Sequence, residues 1–274
     1  IATNRKVEGG GAYYIISRSF GLNIGAAIGI ALFLSQAISV AFYVIAFAEA
    51  FMPFAEFLLS SYPFLEPYEI YLGNKRLIGI VMMIFLSFVM LTKGANIGMN
   101  LLYYVVAVLF VSLVMFFMGK PIEGHELTDV DFISSISNPD SFFYVFTIIF
   151  PAFTGIAAGL GLSGDLKNPK KSIPKGTLLA TAVGIVVYIA VALKLVLSAS
   201  LDDLASDQLI MSRIAIWAPI IPIGLACAAV SSALGSVMVA PRTLQALGVD
   251  KIFPTLTLNN WLSRNKKGTI EPIN

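Results

Sequence analysis

Residues 150–176 read FPAFTGIAAGLGLSGDLKNPKKSIPKG and interrupt an apolar run with Pro151 and Gly155. Proline removes a backbone donor and glycine relaxes the chain, so we expect a helix to open between these two residues. In lipid, an opened backbone is tolerated only where it lines a cavity or is buried in protein. Broken membrane helices bind ions in many secondary transporters, although a proline kink without any ligand fits the same residues.

The middle of the predicted membrane region offers neutral oxygen atoms rather than fixed charges. Besides the opened backbone, it contains the side chains of Tyr43, Thr154, Ser231 and Ser232. Oxygen dipoles bind hard cations, and the positive end of a half-helix binds anions. We therefore expect a site that suits a cation and an anion bound together. The alternative is that the serine pair only lets helices pack closely, with hydroxyls bonded to carbonyls one turn earlier.

The composition predicts a membrane protein. The chain of 274 residues is 57% hydrophobic and 12% charged, and a soluble domain usually carries about twice that charge. Cys227, the single cysteine, lies in an apolar run, which excludes a disulfide framework and a cysteine-based metal site. No nucleic-acid signature is present. Because the sequence starts inside a pattern and stops in a polar segment, we expect it to be a piece of a longer protein.

The apolar runs predict six membrane spans, since a bilayer core requires about 20 residues per helix. The spans cover residues 24–51, 77–91, 99–118, 142–162, 176–197 and 219–247. The fourth is the broken helix. An amphipathic interfacial segment precedes the first span at residues 9–21, with Tyr13 and Tyr14 suited to the headgroup level. A cytoplasmic tail at 248–274 follows the last span, and the whole chain is predicted to be one transmembrane domain.

The basic residues predict the topology of the spans. Five of the 18 fall on one side of the membrane, and the other thirteen fall on the side that carries both chain ends, the loop at Lys93 and the loop Lys167–Lys175. The five are Lys75, Arg76, Lys120, Lys194 and Arg213. Because basic residues accumulate on the cytoplasmic side, both ends of this chain are predicted to be cytoplasmic.

Four segments carry a resemblance to a known family. They are ATNRKVEGGGAYYIISRSFG, AISVAFYVIAFAEAF, FPAFTGIAAGLGLSGDLKNPKKSIPKGTLLA and SSALGSVMVAPRTLQALGVDKIFP. With them the chain resembles the membrane domain of the cation-chloride cotransporter family, in the amino acid–polyamine–organocation superfamily. The resemblance implies an all-α membrane fold with a five-plus-five inverted repeat whose first and sixth helices are broken. This chain would cover the third to eighth of twelve helices.

The resemblance also implies positions for three ion sites. In the family a third-helix tyrosine and the proline and threonine of the sixth-helix break hold potassium, which here implies Tyr43, Pro151 and Thr154. Chloride would lie against the amides that start the inner half-helix, namely Gly155, Ile156 and Ala157. Sodium-coupled members use an alanine and two adjacent serines on helix eight, and the matches are Ala228, Ser231 and Ser232. Potassium-chloride members lack that serine pair.

The function so implied is electroneutral cotransport of chloride with sodium and potassium by alternating access, in the cell membrane. It requires no cofactor and is not an enzymatic activity. The expected partners are the inorganic ions, the bilayer and the missing helices of the full-length chain, and a homodimer is left open. The alternatives are an amino acid or polyamine permease of the same fold, a potassium-chloride cotransporter without sodium coupling, and a membrane scaffold that transports nothing.

Overall fold

The computed structural model describes residues 10–122, 140–150 and 168–265, with side chains throughout except at 92–100 and 169. These residues form helices, in agreement with the predicted all-α class. In chain order they are α1 Gly11–Phe20, α2 Leu22–Ser61, a 3₁₀ turn Pro63–Tyr68, α3 Glu69–Leu72, α4 Lys75–Phe117, α5 Phe142–Ile149, α6 Pro169–Val196, α7 Leu201–Ser206, α8 Ile210–Ile214, α9 Ile220–Val249 and α10 Leu256–Leu262.

Three helices in the described part of the chain are long and apolar enough to cross a membrane: α2, α6 and α9. The most apolar stretches of these helices have mean hydropathies of 2.2, 2.3 and 1.9. They overlap the first, fifth and sixth spans predicted from the sequence. A fourth span is possible where the 3₁₀ turn and α3 meet the first part of α4 at an angle of 82°. The chain is therefore a multi-pass membrane protein.

Helix α4 departs from the predicted pattern of spans. The sequence predicts two spans, 77–91 and 99–118, joined by a cytoplasmic loop at Lys93, but the backbone is one helix of 43 residues. No proline interrupts it, and glycine in the helix interior costs only about 1 kcal/mol. The local residues that predict the loop are thus compatible with continuous helix.

Helices α2 and α9 run antiparallel and form the centre of the fold. A Cβ atom added to Gly29 of α2 would lie 2.9 Å from Cδ2 of Leu247 at the end of α9. At the opposite end, the rings of Phe57 and Trp217 meet edge to face, with centroids 6.2 Å apart. Between these contacts lies a buried cluster, to which α4 also contributes. The cluster consists of Val44, Met82, Leu86, Ala233, Leu234 and Met238.

A second buried cluster closes the end of the fold where α4 stops. It joins Phe116 of α4 to the short helices α7 and α8 and to the start of α9. Gly119 is required here, because a Cβ atom would lie 1.8 Å from the carbonyl oxygen of Ile214. The Nζ atom of Lys194 donates a 2.7 Å hydrogen bond to the carbonyl oxygen of Gly119. Lys194, near the end of α6, is therefore held by a hydrogen bond to the backbone just after α4.

Helix α1 occupies the predicted interfacial segment and docks against α2 and α9. Tyr13 is 1% exposed, so its ring is buried in protein. Close approach is possible because Gly25 faces α1, where a Cβ atom would lie 2.5 Å from Cβ of Ser17. Gly10 precedes the helix with a φ of 99°, a conformation that favours glycine.

An ion pair joins α1 to the residue that follows α9. Arg18 donates two hydrogen bonds to the carboxylate of Asp250, at 2.9 and 2.7 Å. The hydroxyl of Tyr13 donates a third, at 2.7 Å. Burial alone would raise the pKa of Asp250, but the hydrogen bonds from Arg18 and Tyr13 and the positive charge of Arg18 outweigh it and lower that pKa. The carboxylate is therefore stabilised in its charged form.

We expect Asp250→Asn to release α1 from α9. The change keeps the shape of the side chain but removes the charge, which should cost about 1–3 kcal/mol of docking free energy. Because the pKa of Asp250 is lowered, its contribution is complete above the ordinary value of about 3.9 and is lost as the pH falls through the lowered value. Amide hydrogen exchange over residues 11–20 in the full-length protein measures the release.

The matched control is Asp203→Asn, which removes a carboxylate that pairs with Arg213 at 3.3 Å on the outside of the fold. That arginine is half exposed, so the loss should be small. Equal protection of residues 11–20 in wild type and Asp250→Asn would contradict the docking role of this carboxylate.

Candidate cation site between helices α2 and α9

Tyr43 lies midway along α2 and is half-buried. Its ring packs against the central cluster and meets the ring of Phe42 edge to face, with centroids 5.8 Å apart. Among the described residues, none forms a hydrogen bond with the Tyr43 hydroxyl, so its oxygen retains its lone pairs for another ligand. Packing thus fixes the ring while leaving the oxygen available, which is the arrangement that ion coordination needs.

The serine pair lies midway along α9, directly before its buried run Ala233–Ser236. Ala228, Ser231 and Ser232 are half-buried, next to Ala229 and the fully buried Ala233. Hydroxyls inside a helix often bond back to a carbonyl one turn earlier.

Thr243 makes such a bond in the same helix, donating to the carbonyl oxygen of Val239 at 3.2 Å. In the described part of the chain, the hydroxyls of Ser231 and Ser232 make no such bond. Close packing remains compatible with the pair, but back-bonding does not account for it.

Tyr43 and the residues on either side of the serine pair belong to the same buried layer. Tyr43 and Val230, the neighbour of Ser231, both pack against the central cluster that includes Val44 and Ala233. The antiparallel contact of α2 with α9 therefore brings the predicted potassium tyrosine and the predicted sodium serines to one level of the fold. The described residues contain no group of three or more His, Cys, Asp or Glu side chains that could hold a metal. Any cation held here by described side chains is bound by neutral oxygens.

The predicted helix break is only partly within the described residues. Helix α5 begins after Ser141, whose hydroxyl accepts a 3.4 Å hydrogen bond from the amide of Tyr144. The helix ends at Ile149, two residues before Pro151, and the description resumes at Asn168. Five predicted ligands lie outside the described residues, and their assignment stays a prediction: Pro151, Thr154, Gly155, Ile156 and Ala157.

One buried polar group on α2, the amide of Gln36, was not predicted from the sequence. The amide oxygen of Gln36 is buried, and no hydrogen-bond partner for it exists within the described residues. Gln36 precedes Tyr43 by seven residues, or about two helical turns, so both lie on one face of α2. Its signal was available, since a glutamine inside an apolar span requires a polar partner.

Comparison with known proteins extends over nearly the whole chain. A family model described as amino acid permease matches residues 1–269. Solute carrier family 12 member 2 of Mus musculus is 32% identical over 306 residues, covering 94% of this chain and 25% of that protein. Solute carrier family 12 member 9 of Danio rerio is 31% identical over 299 residues, covering 92% of this chain and 32% of that protein.

A third relative has a more specific name. The bumetanide-sensitive sodium-(potassium)-chloride cotransporter of Manduca sexta is 30% identical over 306 residues, covering 93% of this chain and 28% of that protein. The chain thus spans between a quarter and a third of the length of these relatives.

Proposed function

The chain belongs to the amino acid permease family, and from this premise we propose that the full-length protein couples chloride transport to sodium and potassium by alternating access. The observation that supports the proposal is that Tyr43 packs in one buried cluster with Val230 and Ala233, the residues on either side of the Ser231–Ser232 pair. The similarity to a sodium-(potassium)-chloride cotransporter of Manduca sexta supports the choice of ions.

Each ion has proposed ligands in this chain. Potassium is held by the hydroxyl of Tyr43 with Pro151 and Thr154 of the predicted break. Sodium is held by Ala228, Ser231 and Ser232, as small hard cations require several oxygens at close range. Chloride lies against the amides of Gly155, Ile156 and Ala157, where the start of a half-helix favours an anion.

Coupling between the ions follows from the lack of fixed charge among these ligands. A cation that leaves water for the middle of the membrane retains an uncompensated charge, which is unfavourable in a low-dielectric environment. An anion bound a few ångströms away compensates that charge, so each ion raises the affinity for the other. The one chloride assigned here balances only one of the two cations. Electroneutral transport of sodium and potassium together therefore requires a second chloride, bound by residues outside this chain.

The proposed orientation places both ends of the chain in the cytoplasm of the cell. It is supported by the excess of Lys and Arg on that side in the predicted topology. In this orientation α1 and Asp250 lie at the inner surface, and Gly119 with the short helices α7 and α8 lies at the outer surface.

A second candidate is an amino acid or polyamine permease on the same fold. It is favoured by the description of the matching family. In that case the half-helix that starts at Gly155 would hold a substrate carboxylate in place of chloride. The two candidates differ in whether chloride is required and in whether an amino acid competes.

We expect rubidium uptake by the full-length protein in proteoliposomes to fall to the background rate when gluconate replaces chloride. Gluconate carries the same charge but is too large to lie against three adjacent amides. Adding a mixture of amino acids in the presence of chloride should leave rubidium uptake unchanged. Uptake that persists in gluconate, or that amino acids inhibit, would favour the permease.

A further inference from the structure

A groove between α2 and α4, distinct from the proposed ion site, has the features of a lipid-binding site. Its volume is about 580 Å³, within the range of about 300–1,000 Å³ typical of small-ligand sites. From α2 it is lined by Val44, Ile45, Ala48 and Glu49, and from α4 by Lys75, Arg76, Gly79, Ile80, Met83 and Ile84. The lining is apolar except for the three charged residues.

The charged residues gather at one end of this α2–α4 groove. A Cβ atom on Gly79 would lie 3.5 Å from Cγ1 of Val44, so the first turn of α4 lies beside the turn of α2 that contains Glu49. Lys75 and Arg76 are exposed, and neither forms an ion pair within the described residues. With Glu49 the end of the groove carries one net positive charge, which complements a ligand with one negative charge.

The apolar length of the groove opens toward the bilayer. Ile45, Ile80 and Ile84 line it and are 59%, 58% and 64% exposed. Side chains this apolar on the surface of a membrane span face acyl chains rather than water. Lys75 and Arg76 are the first residues of α4, and cations at the end of a membrane helix extend toward the lipid headgroups.

We propose that the α2–α4 groove binds an anionic phospholipid from the bilayer. One acyl chain lies along the isoleucines, and the phosphate contacts Lys75 and Arg76, whose aliphatic stems extend over the groove while their charges reach the headgroup. In the proposed orientation both cations lie on the outer side of the membrane, so the headgroup belongs to a lipid of the outer leaflet. The bilayer is the source of the ligand because the groove is open along its side in the described part of the chain.

The test is native mass spectrometry of the full-length protein, purified in detergent and mixed with equal amounts of phosphatidylglycerol and phosphatidylcholine. Wild type should retain about tenfold more phosphatidylglycerol, as two nearby cations favour an anionic headgroup. Lys75→Gln/Arg76→Gln should lose this preference. The matched control is Lys170→Gln/Lys171→Gln, which removes an exposed basic pair from the first turn of α6 and should retain the preference.

The acyl-chain part of the proposal has its own variant. Gly79→Leu extends into the groove and should reduce phosphatidylglycerol binding about tenfold, while Gly79→Ala, whose Cβ makes an ordinary contact with Val44, should not. A preference that survives in Lys75→Gln/Arg76→Gln would overturn the headgroup assignment, and equal binding by the two Gly79 variants would overturn the acyl-chain assignment. Absence of retained lipid in wild type would overturn the proposal. If Gly79→Leu then also unfolds the protein, another segment of the full-length chain fills the groove.

Discussion

Replacing both Ser231 and Ser232 with alanine should abolish the stimulation of rubidium uptake by sodium in the full-length protein. The two hydroxyls are the proposed sodium oxygens, and their loss leaves too few ligands for a small cation. The helix should be retained, because alanine is the better helix former and is similar in size. Potassium-chloride coupling should persist, since Tyr43 is unchanged. Sodium-22 uptake and sodium-stimulated rubidium uptake in proteoliposomes measure the effect.

The control for this variant is Ser236→Ala, one turn further along α9. Ser236 is 4% exposed, so it tests the loss of a buried hydroxyl from the same helix without altering the proposed site. Full sodium stimulation in the double variant would show that the pair only packs α9 closely, for which alanine serves equally well. The proposed sodium site would then fail, and a potassium-chloride cotransporter would be favoured.

Tyr43→Phe should raise the rubidium concentration for half-maximal uptake about tenfold or more. The change removes one coordinating oxygen, at a cost of about 1–3 kcal/mol. Packing should be preserved, because the ring that contacts the central cluster is retained and no described residue hydrogen-bonds the hydroxyl. The maximal rate and the expression level should therefore change little.

Tyr103→Phe is the matched control, as Tyr103 lies on α4 with 73% exposure and the same atom is removed. Half-saturation that is equal in wild type and both variants would show that Tyr43 contributes packing alone. A change in sodium dependence without a change in rubidium half-saturation would assign Tyr43 to the other cation site.

The helices that could be predicted from the sequence are those whose signal is local. The apolar runs at 24–51, 176–197 and 219–247 are long enough to identify α2, α6 and α9 without knowledge of their neighbours. Between the predicted spans 77–91 and 99–118 the backbone is helical, because glycine and lysine weaken a helix but do not stop it. The existence of the helices could therefore be predicted from local residues more accurately than the positions of their ends.

The contacts between distant residues could not be predicted, since no local pattern specifies them. Arg18 and Asp250 are 232 positions apart, and their ion pair exists only because α1 docks against the end of α9. The burial of Tyr13 has the same origin. In the candidate site, Tyr43 and the serine pair could be identified from residue type and resemblance. That they lie at the same level of the fold is known only from the antiparallel packing of α2 and α9. Gln36 could not be assigned to a site, because its amide is neither a hydroxyl nor a charge and the resemblance implies no role for it.

Uptake of chloride-36 into proteoliposomes that contain the full-length protein tests the central claim most directly. We predict that uptake requires external sodium and potassium, stops when N-methylglucamine replaces both, and does not change when the membrane potential is altered. Chloride uptake that proceeds equally well in N-methylglucamine would contradict the coupling of chloride to the cations.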